Sequence, residues 1–173
     1  TDDGTSPRSK WGIDNAVFWN TCYESDEYGH ITEDTQVRIK MMDKRMSRLD
    51  LALETIPVDE QAIPFEVHDY TIISWGSTKG PILDAQAMLK KEGIDIGFVQ
   101  IKLLNPFPTE YVKSLIKDAK VLIDIEANHS GQLGKIFKQN ITRDIDYHIL
   151  KYTGRGITST ELYDSLKKIV ENK

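Results

Sequence analysis

Four times between residues 70 and 172, a short β-branched or aromatic run is followed by a stretch with helical periodicity. "YTIISW" (70–75) reads as a strand by composition. The helix after it has Ser77 or Thr78 as candidate caps and Pro81 in its first turn. Ile82, Ala85 and Leu89 form its apolar stripe, and Gly93 ends it. "IDIGFVQIKLL" (94–104) is a second strand. Asn105, Pro106 and Pro108 break the chain before the helix at 109–119, for which Thr109 is the cap. "KVLIDIEA" (120–127) is a third strand, and Ser130 is the candidate cap of the helix at 130–140. "IDYHILKYT" (145–153) is a fourth, and 159–172 closes as a helix in which a capping box from Ser159 to Leu162 fails for want of an acid. Repeated strand–helix pairs demand a mainly parallel sheet covered on both faces by helices, an α/β class of fold. In such sheets ligands sit beyond the carboxyl ends of the strands, here near residues 76–80, 105–109, 126–132 and 153–156.

The amino-terminal third reads differently. Residues 1–60 form a polar joining segment ending in a helix over about 35–56, and residues 61–173 form the α/β domain. Ile39, Met42, Met46, Leu49, Leu53 and Ile56 recur three and four apart. They draw a heptad-like seam along a helix of about 33 Å, capped by Asp34 and stopped by Pro57. Such a seam should bury Met42, Met46, Leu49 and Leu53 against the chain itself or another domain, or else pair as a free coiled coil.

Charge and cysteine usage exclude several classes. With 22 basic and 27 acidic residues the net charge is −5, and no concentrated basic patch favours nucleic acid. No apolar run is long enough to span a bilayer, and no signal peptide is visible. Cys22 is the single cysteine, too few for an internal disulfide, an iron–sulfur cluster or a zinc knuckle, so a reducing, cytoplasmic setting is expected. Hydrophobic residues make up 39%, enough for a sizeable core. The opening "TDDGTSPR" lacks a methionine, which hints at a fragment, although processing would leave the same trace.

Three stretches are candidate sites. "WGSTKGP" (75–81) puts Ser77, Thr78 and Lys79 at a helix amino terminus, an arrangement that attracts anions. It is not a P-loop: Lys79 precedes Gly80, and Pro81 removes an amide that would cradle phosphate. Two glycines also fall short of a dinucleotide fingerprint. A tight strand-to-helix turn is the plainer reading. In "DIEANHSGQLG" (124–134), Glu126 and His129 are an acid–base candidate and Gly131 would admit a ligand, against a structural turn or a subunit-facing surface. "ESDEYGHITED" (24–34) carries five carboxylates and His30 without calcium-loop spacing, and reads as a solvated or interface loop.

With those motifs set out, the order "TIISWGSTKGPILDAQAMLKKEGIDIGFVQIKLLNPFP", "VLIDIEANHSGQLGKIF" and "KYTGRGIT" resembles the end of the alpha subunit of 2-oxoacid:ferredoxin oxidoreductases. "GTSPR", "DEYGHITED" and "RIKMMDKRMSRLD" are similar to the stretch that joins that family's thiamine-pyrimidine domain to its last domain. The resemblance implies CoA-dependent oxidative decarboxylation of a 2-oxoacid by the whole complex, with electrons passed through iron–sulfur clusters to ferredoxin. It implies a last domain like the carboxyl-terminal domain of transketolase: three layers, α/β/α, mostly parallel with one antiparallel edge strand. Residues 146–152 are the candidate for that strand.

The resemblance also implies what belongs elsewhere. The domain that contacts the thiamine pyrimidine would precede Thr1. The Gly-Asp-Gly and Asn pattern that holds the diphosphate through magnesium is missing, since "DDG" at 2–4 lacks its first glycine. Thiamine diphosphate, magnesium and the clusters are therefore expected on the rest of the complex, with no cofactor, metal or catalytic residue in this chain. Where the joining stretch often reads Glu-His, this chain has Glu24-Ser25. The reading is thus a structural domain whose partners are the other subunits and, through them, ferredoxin, with no nucleic acid or membrane. The alternatives are an independent anion- or CoA-binding module, or the end domain of a transketolase-type pyruvate dehydrogenase beta subunit.

Overall fold

The computed structural model describes residues 5–16 and 21–172, so the "DDG" at 2–4 lies outside the described residues. The chain divides into two compact units, Thr1–Thr55 and Ile56–Lys173.

In the first unit the long helix forms as α1, Thr35–Thr55. Asp34 caps it, its Oδ1 accepting from the backbone N–H of Gln36 and of Val37, both at 2.9 Å. Within the chain itself, the expected burial of its seam is not found. No residue of α1 is buried; Met46 is 54% exposed, Met42 38% and Leu53 36%, and Leu49 is half-buried. Within this unit, the described residues before α1 form turns and a single Ser25–Ile31 bridge rather than a helix or sheet layer that would cover the seam.

In the second unit a short helix, α2 (Val58–Gln61), leads into β1 (Ala62–Glu66). Then follow β2 (Tyr70–Trp75), α3 (Lys79–Lys90), β3 (Gly97–Ile101), α4 (Thr109–Leu115), β4 (Val121–Glu126), α5 (Gln132–Asn140), β5 (Tyr147–Leu150) and α6 (Ser159–Glu171). The strand order is β1-β3-β2-β4-β5. Alternation along β2 sorts the core into two faces. Ile73 joins Leu122 on β4, Val112 on α4, and Leu133 and Phe137 on α5. Ile72 joins Ile123 and Ile125 on β4, Ile82, Ala85 and Leu89 on α3, and Leu162 and Leu166 on α6. The three-layer α/β/α sandwich follows directly, because each strand of the parallel core buries both its faces.

The reversed edge strand is at the other end from the one expected. β1 runs antiparallel to β3, whereas β5, within the 146–152 candidate, runs parallel to β4. β5 follows β4 through α5, and a crossover helix returns the chain in the same direction. β1 enters β2 through residues 67–69 alone and comes in reversed. Pro64, which cannot donate to a ladder, is compatible with that edge position.

Several helix starts also differ. α6 is capped one residue early, by a capping box between Thr158 and Glu161. α4 starts after Pro108 with Thr109 as its first residue, and neither Ser77 nor Thr78 caps α3 through its side chain. Ser130 does not cap α5 either; Gly131 takes that place at φ 60°. Glycine suits it, because side chains strongly disfavour this left-handed conformation.

Candidate functional site

β2 and β4 are neighbours whose following helices leave toward opposite faces of the sheet. This is the topological switch point, where open α/β sheets hold ligands. A cavity of about 290 Å³ lies there, lined by Trp75, Gly76, Ser77 and Thr78 after β2 and by Ala127, Asn128 and Gln132 after β4. Of the three anion candidates, Ser77 and Thr78 reach this cavity. Thr78 is 4% exposed, and its hydroxyl is bound to Ser74 Oγ at 2.6 Å and donates to the Trp75 carbonyl at 2.8 Å. Lys79 turns away, its Nζ lying 4.9 Å over the centre of the Phe65 ring. Gly76, at φ 65°, makes the turn that the strand-to-helix reading requires.

Beneath the cavity, on the face covered by α5, Asp124 and Glu126 are both fully buried. They are two residues apart on β4 and so point to the same side. Glu126 satisfies four donors: the backbone N–H of Leu133 at 2.9 Å and of Gly134 at 3.3 Å, the Trp75 indole at 3.0 Å and the Asn128 amide at 2.7 Å. Burial works to raise its carboxyl, but these donors outweigh it and hold the group below the usual carboxylate range. Asn128 Oδ1 in turn accepts from the N–H of Ser130 and Gly131. Two side chains therefore take the orphan amides at the amino end of α5, a role the sequence suggested for Ser130.

Asp124 has a poorer environment. Its Oδ2 lies 2.9 Å from His148 Nδ1, on the neighbouring strand at the matching register position, and its Oδ1 has no hydrogen-bond partner. Burial, and then the Glu126 charge beside it, push the Asp124 carboxyl up to about 8. Between roughly pH 4 and pH 8 the unfolded chain has released this proton while the folded chain holds it. The contribution to stability is complete below the unfolded value and is lost as pH rises through the folded one, at about 1.4 kcal/mol per pH unit.

The Glu126–His129 acid–base pairing does not form. His129 is exposed and packs edge-on against Tyr152 at 4.6 Å, while Glu126 is fully engaged. Gly131 does abut the buried pair, since a Cβ there would lie 3.7 Å from Asp124 Oδ2 and 3.8 Å from Glu126 Oε1. The histidine that matters to this cluster is His148, which sequence reasoning missed. The available signal was Asp124 itself, a charged residue inside the otherwise apolar run "VLIDI".

The loop at 24–34 is a structural turn joined to α1. Glu24 Oε1 accepts from Arg45 Nη2 at 2.5 Å and its Oε2 from Arg38 Nη1 at 2.8 Å; Arg45 first, then Arg38, holds its carboxyl down to about 2. Asp26 Oδ1 accepts the N–H of both Tyr28 and His30. At the opposite end of the sheet from the cavity, Glu66, His68 and Asp95 bring three potential ligand atoms within 4.8 Å of one another. Lys90 lies 3.2 Å from Glu66 and so offsets one of the two carboxylates. Cys22, the chain's only cysteine, is exposed; one thiolate does not fit an iron–sulfur cluster. No helix among the described residues is long and apolar enough to cross a membrane.

A mostly parallel five-stranded sheet with one reversed edge, helices on both faces and a cavity at the switch point defines the class of fold. A split-gene transketolase shares it at TM-score 0.50 and 18% identity, covering 65% of this chain and 42% of that one. The sequence places the chain more closely. Residues 68–162 match the family described as pyruvate:ferredoxin oxidoreductase core domain II, and the chain belongs to that family. Over 173 residues it is 36% identical to the alpha subunit of a 2-oxoacid:ferredoxin oxidoreductase from Saccharolobus solfataricus, covering 99% of this chain and 27% of the relative. A solved 2-oxoglutarate:ferredoxin oxidoreductase from Magnetococcus marinus, with 2-oxoglutarate, coenzyme A and succinyl-CoA bound, matches 97% of this chain at TM-score 0.76 and 25% identity. The chain covers 29% of that structure and about a quarter of its curated relatives' length.

Proposed function

We propose that this chain is the carboxyl-terminal domain of the alpha subunit of a 2-oxoacid:ferredoxin oxidoreductase, and that its work is assembly rather than chemistry. The observation that carries this reading is the extent of the likeness: an alpha-subunit relative is similar across 99% of the chain. The fate of the candidate acids and bases supports it. Glu126 is consumed as an internal anchor for α5, and His129 stands apart from it. On this reading the boundary between the joining segment and the α/β domain falls near residue 60. The complex oxidatively decarboxylates a 2-oxoacid, transfers the acyl group to coenzyme A and passes electrons to ferredoxin. Thiamine diphosphate, magnesium and the iron–sulfur clusters reside on its other parts, and the setting is cytoplasmic. The exposed α1 seam is compatible with a role in joining such parts.

Purification from the source cells, through a tag on the carboxyl end of the encoded protein, tests this. The expected result is recovery with iron–sulfur-bearing polypeptides and with 2-oxoacid- and CoA-dependent reduction of an artificial acceptor. Recovery as a colourless species without partners or turnover contradicts it. The switch-point cavity supports a second reading, a small anion or coenzyme A held near Ser77 and Thr78. The same preparation answers that by thermal shift, because a ligand of the folded state raises its stability above the dissociation constant.

A further inference from the structure

We propose that Asp124, Glu126 and His148 form a proton latch on the amino end of α5, in which one proton shared between Asp124 and His148 keeps residues 127–134 closed beside the switch-point cavity. The proposal stands independently of the function assigned above. It rests on three features of the buried face.

First, Asp124 is wholly buried with one oxygen unpartnered, while its other oxygen meets His148 Nδ1 at 2.9 Å. An ionised carboxylate beside Glu126 is costly in such a place, and a carboxylic acid whose Oδ2–H donates to a neutral Nδ1 costs less, because the orphan Oδ1 then carries no charge. The ring then carries its proton on Nε2, and the His148 side chain, 46% exposed, gives this chain of groups an outlet to solvent. Second, room has been made for the ring against the helix. A Cβ on Gly134 would lie 2.9 Å from His148 Cε1 and 3.1 Å from Asp124 Oδ2. Third, the neighbouring carboxylate is the one that holds the helix end. Glu126 Oε1 takes the N–H of Leu133 and Gly134, and its Oε2 takes Asn128 and the Trp75 indole, two of the residues lining the cavity.

Loss of the Asp124 proton to solvent leaves two carboxylates side by side in a buried space, and repulsion acts on the group that anchors α5. Compensation is not at hand among the described residues. α5 packs Leu133 and Gly134 here; its Lys135 is exposed, and its Lys138 is paired with Asp144. β2 presents Trp75, which is uncharged. On the β5 side, Asp146 Oδ2 accepts the Leu122 N–H, Lys151 pairs with Glu161, and His129 in the connecting loop packs on Tyr152.

Nitrogen-detected NMR of His148, with amide exchange at Leu133 and Gly134, tests the latch on the full 173-residue chain. At pH 7 the expected state is Nε2 protonated and Nδ1 bare. Corrected for intrinsic rates, protection at Leu133 and Gly134 should fall by about tenfold or more between pH 7 and pH 9.5, the factor carried by one unit of proton linkage. Asp124→Asn, which keeps a donor to Nδ1 but has no proton to lose, should hold its protection constant over that range. Both ring nitrogens protonated at pH 7, unchanged wild-type protection, or the same fall in Asp124→Asn would each overturn the proposal. The wild-type measurements decide it even where the variant does not fold.

Discussion

Glu126→Ala is expected to lose roughly 3–5 kcal/mol of stability in urea unfolding, because several buried neutral donors lose their acceptor together. Four donors converge on this carboxylate, and two of them are backbone amides of the first turn of α5. Truncation leaves them facing a hole of side-chain size, and each buried unsatisfied donor costs about 1–3 kcal/mol. Part of the loss is recovered where water enters from the cavity side. Glu126→Gln separates shape from charge: it fills the space but offers one acceptor oxygen in place of two, so it should fall between wild type and alanine. A Glu126→Ala variant within about 0.5 kcal/mol of wild type, the usual span of a surface change, would mean that this anchor does not form.

Gly97→Ala is expected to destabilise by about 3 kcal/mol, the upper end for overpacking a core. The chain end leaving β1 folds tightly over the start of β3. A Cβ at Gly97 would lie 2.7 Å from Thr71 Oγ1, 2.8 Å from the Glu66 carbonyl oxygen and 2.8 Å from the His68 backbone nitrogen. Two of these are main-chain atoms, so no rotamer change relieves the clash. Thr71 also clamps that turn, donating to the His68 carbonyl at 2.7 Å and accepting its N–H at 3.2 Å. The control is Gly80→Ala. It lies in the first turn of α3 with open space around it, directly before Pro81, whose ring offsets the helix-propensity gain of a Cβ there, so it should change stability by less than about 1 kcal/mol. Equal effects at the two glycines would contradict the close approach of β1 to β3.

The parallel core could be read from the sequence because its signals are local. "YTIISW" and "VLIDIE" carry their strand character within six residues, and Ile82, Ala85 and Leu89 mark a helix face by spacing alone. The reversal of β1 could not be read that way. "AIPFE" contains a proline and ends on a charge, so it resembles a linker, and what makes it a strand is a ladder with residues some 35 positions later. The α1 seam shows the opposite failure. Heptad spacing announces an apolar stripe but does not name the surface that covers it. In the site, Glu126 stood out as a carboxylate at a strand end. Its role depends on amides that return to it seven and eight residues later, and His148 reaches Asp124 only through strand register. The anion-loop reading failed to anticipate that Thr78 is bonded to Ser74 and that Lys79 lies over Phe65, both consequences of side-chain direction at a helix start.

Whether this domain serves a catalytic assembly without performing the reaction itself is decided by one assay. The purified 173-residue chain is supplied with thiamine diphosphate, magnesium, coenzyme A, pyruvate or 2-oxoglutarate, and an artificial electron acceptor. The expected result is acceptor reduction no faster than in the mixture without protein, because the single cysteine cannot hold a cluster and Glu126 is committed to the fold. Turnover by this chain alone would contradict it.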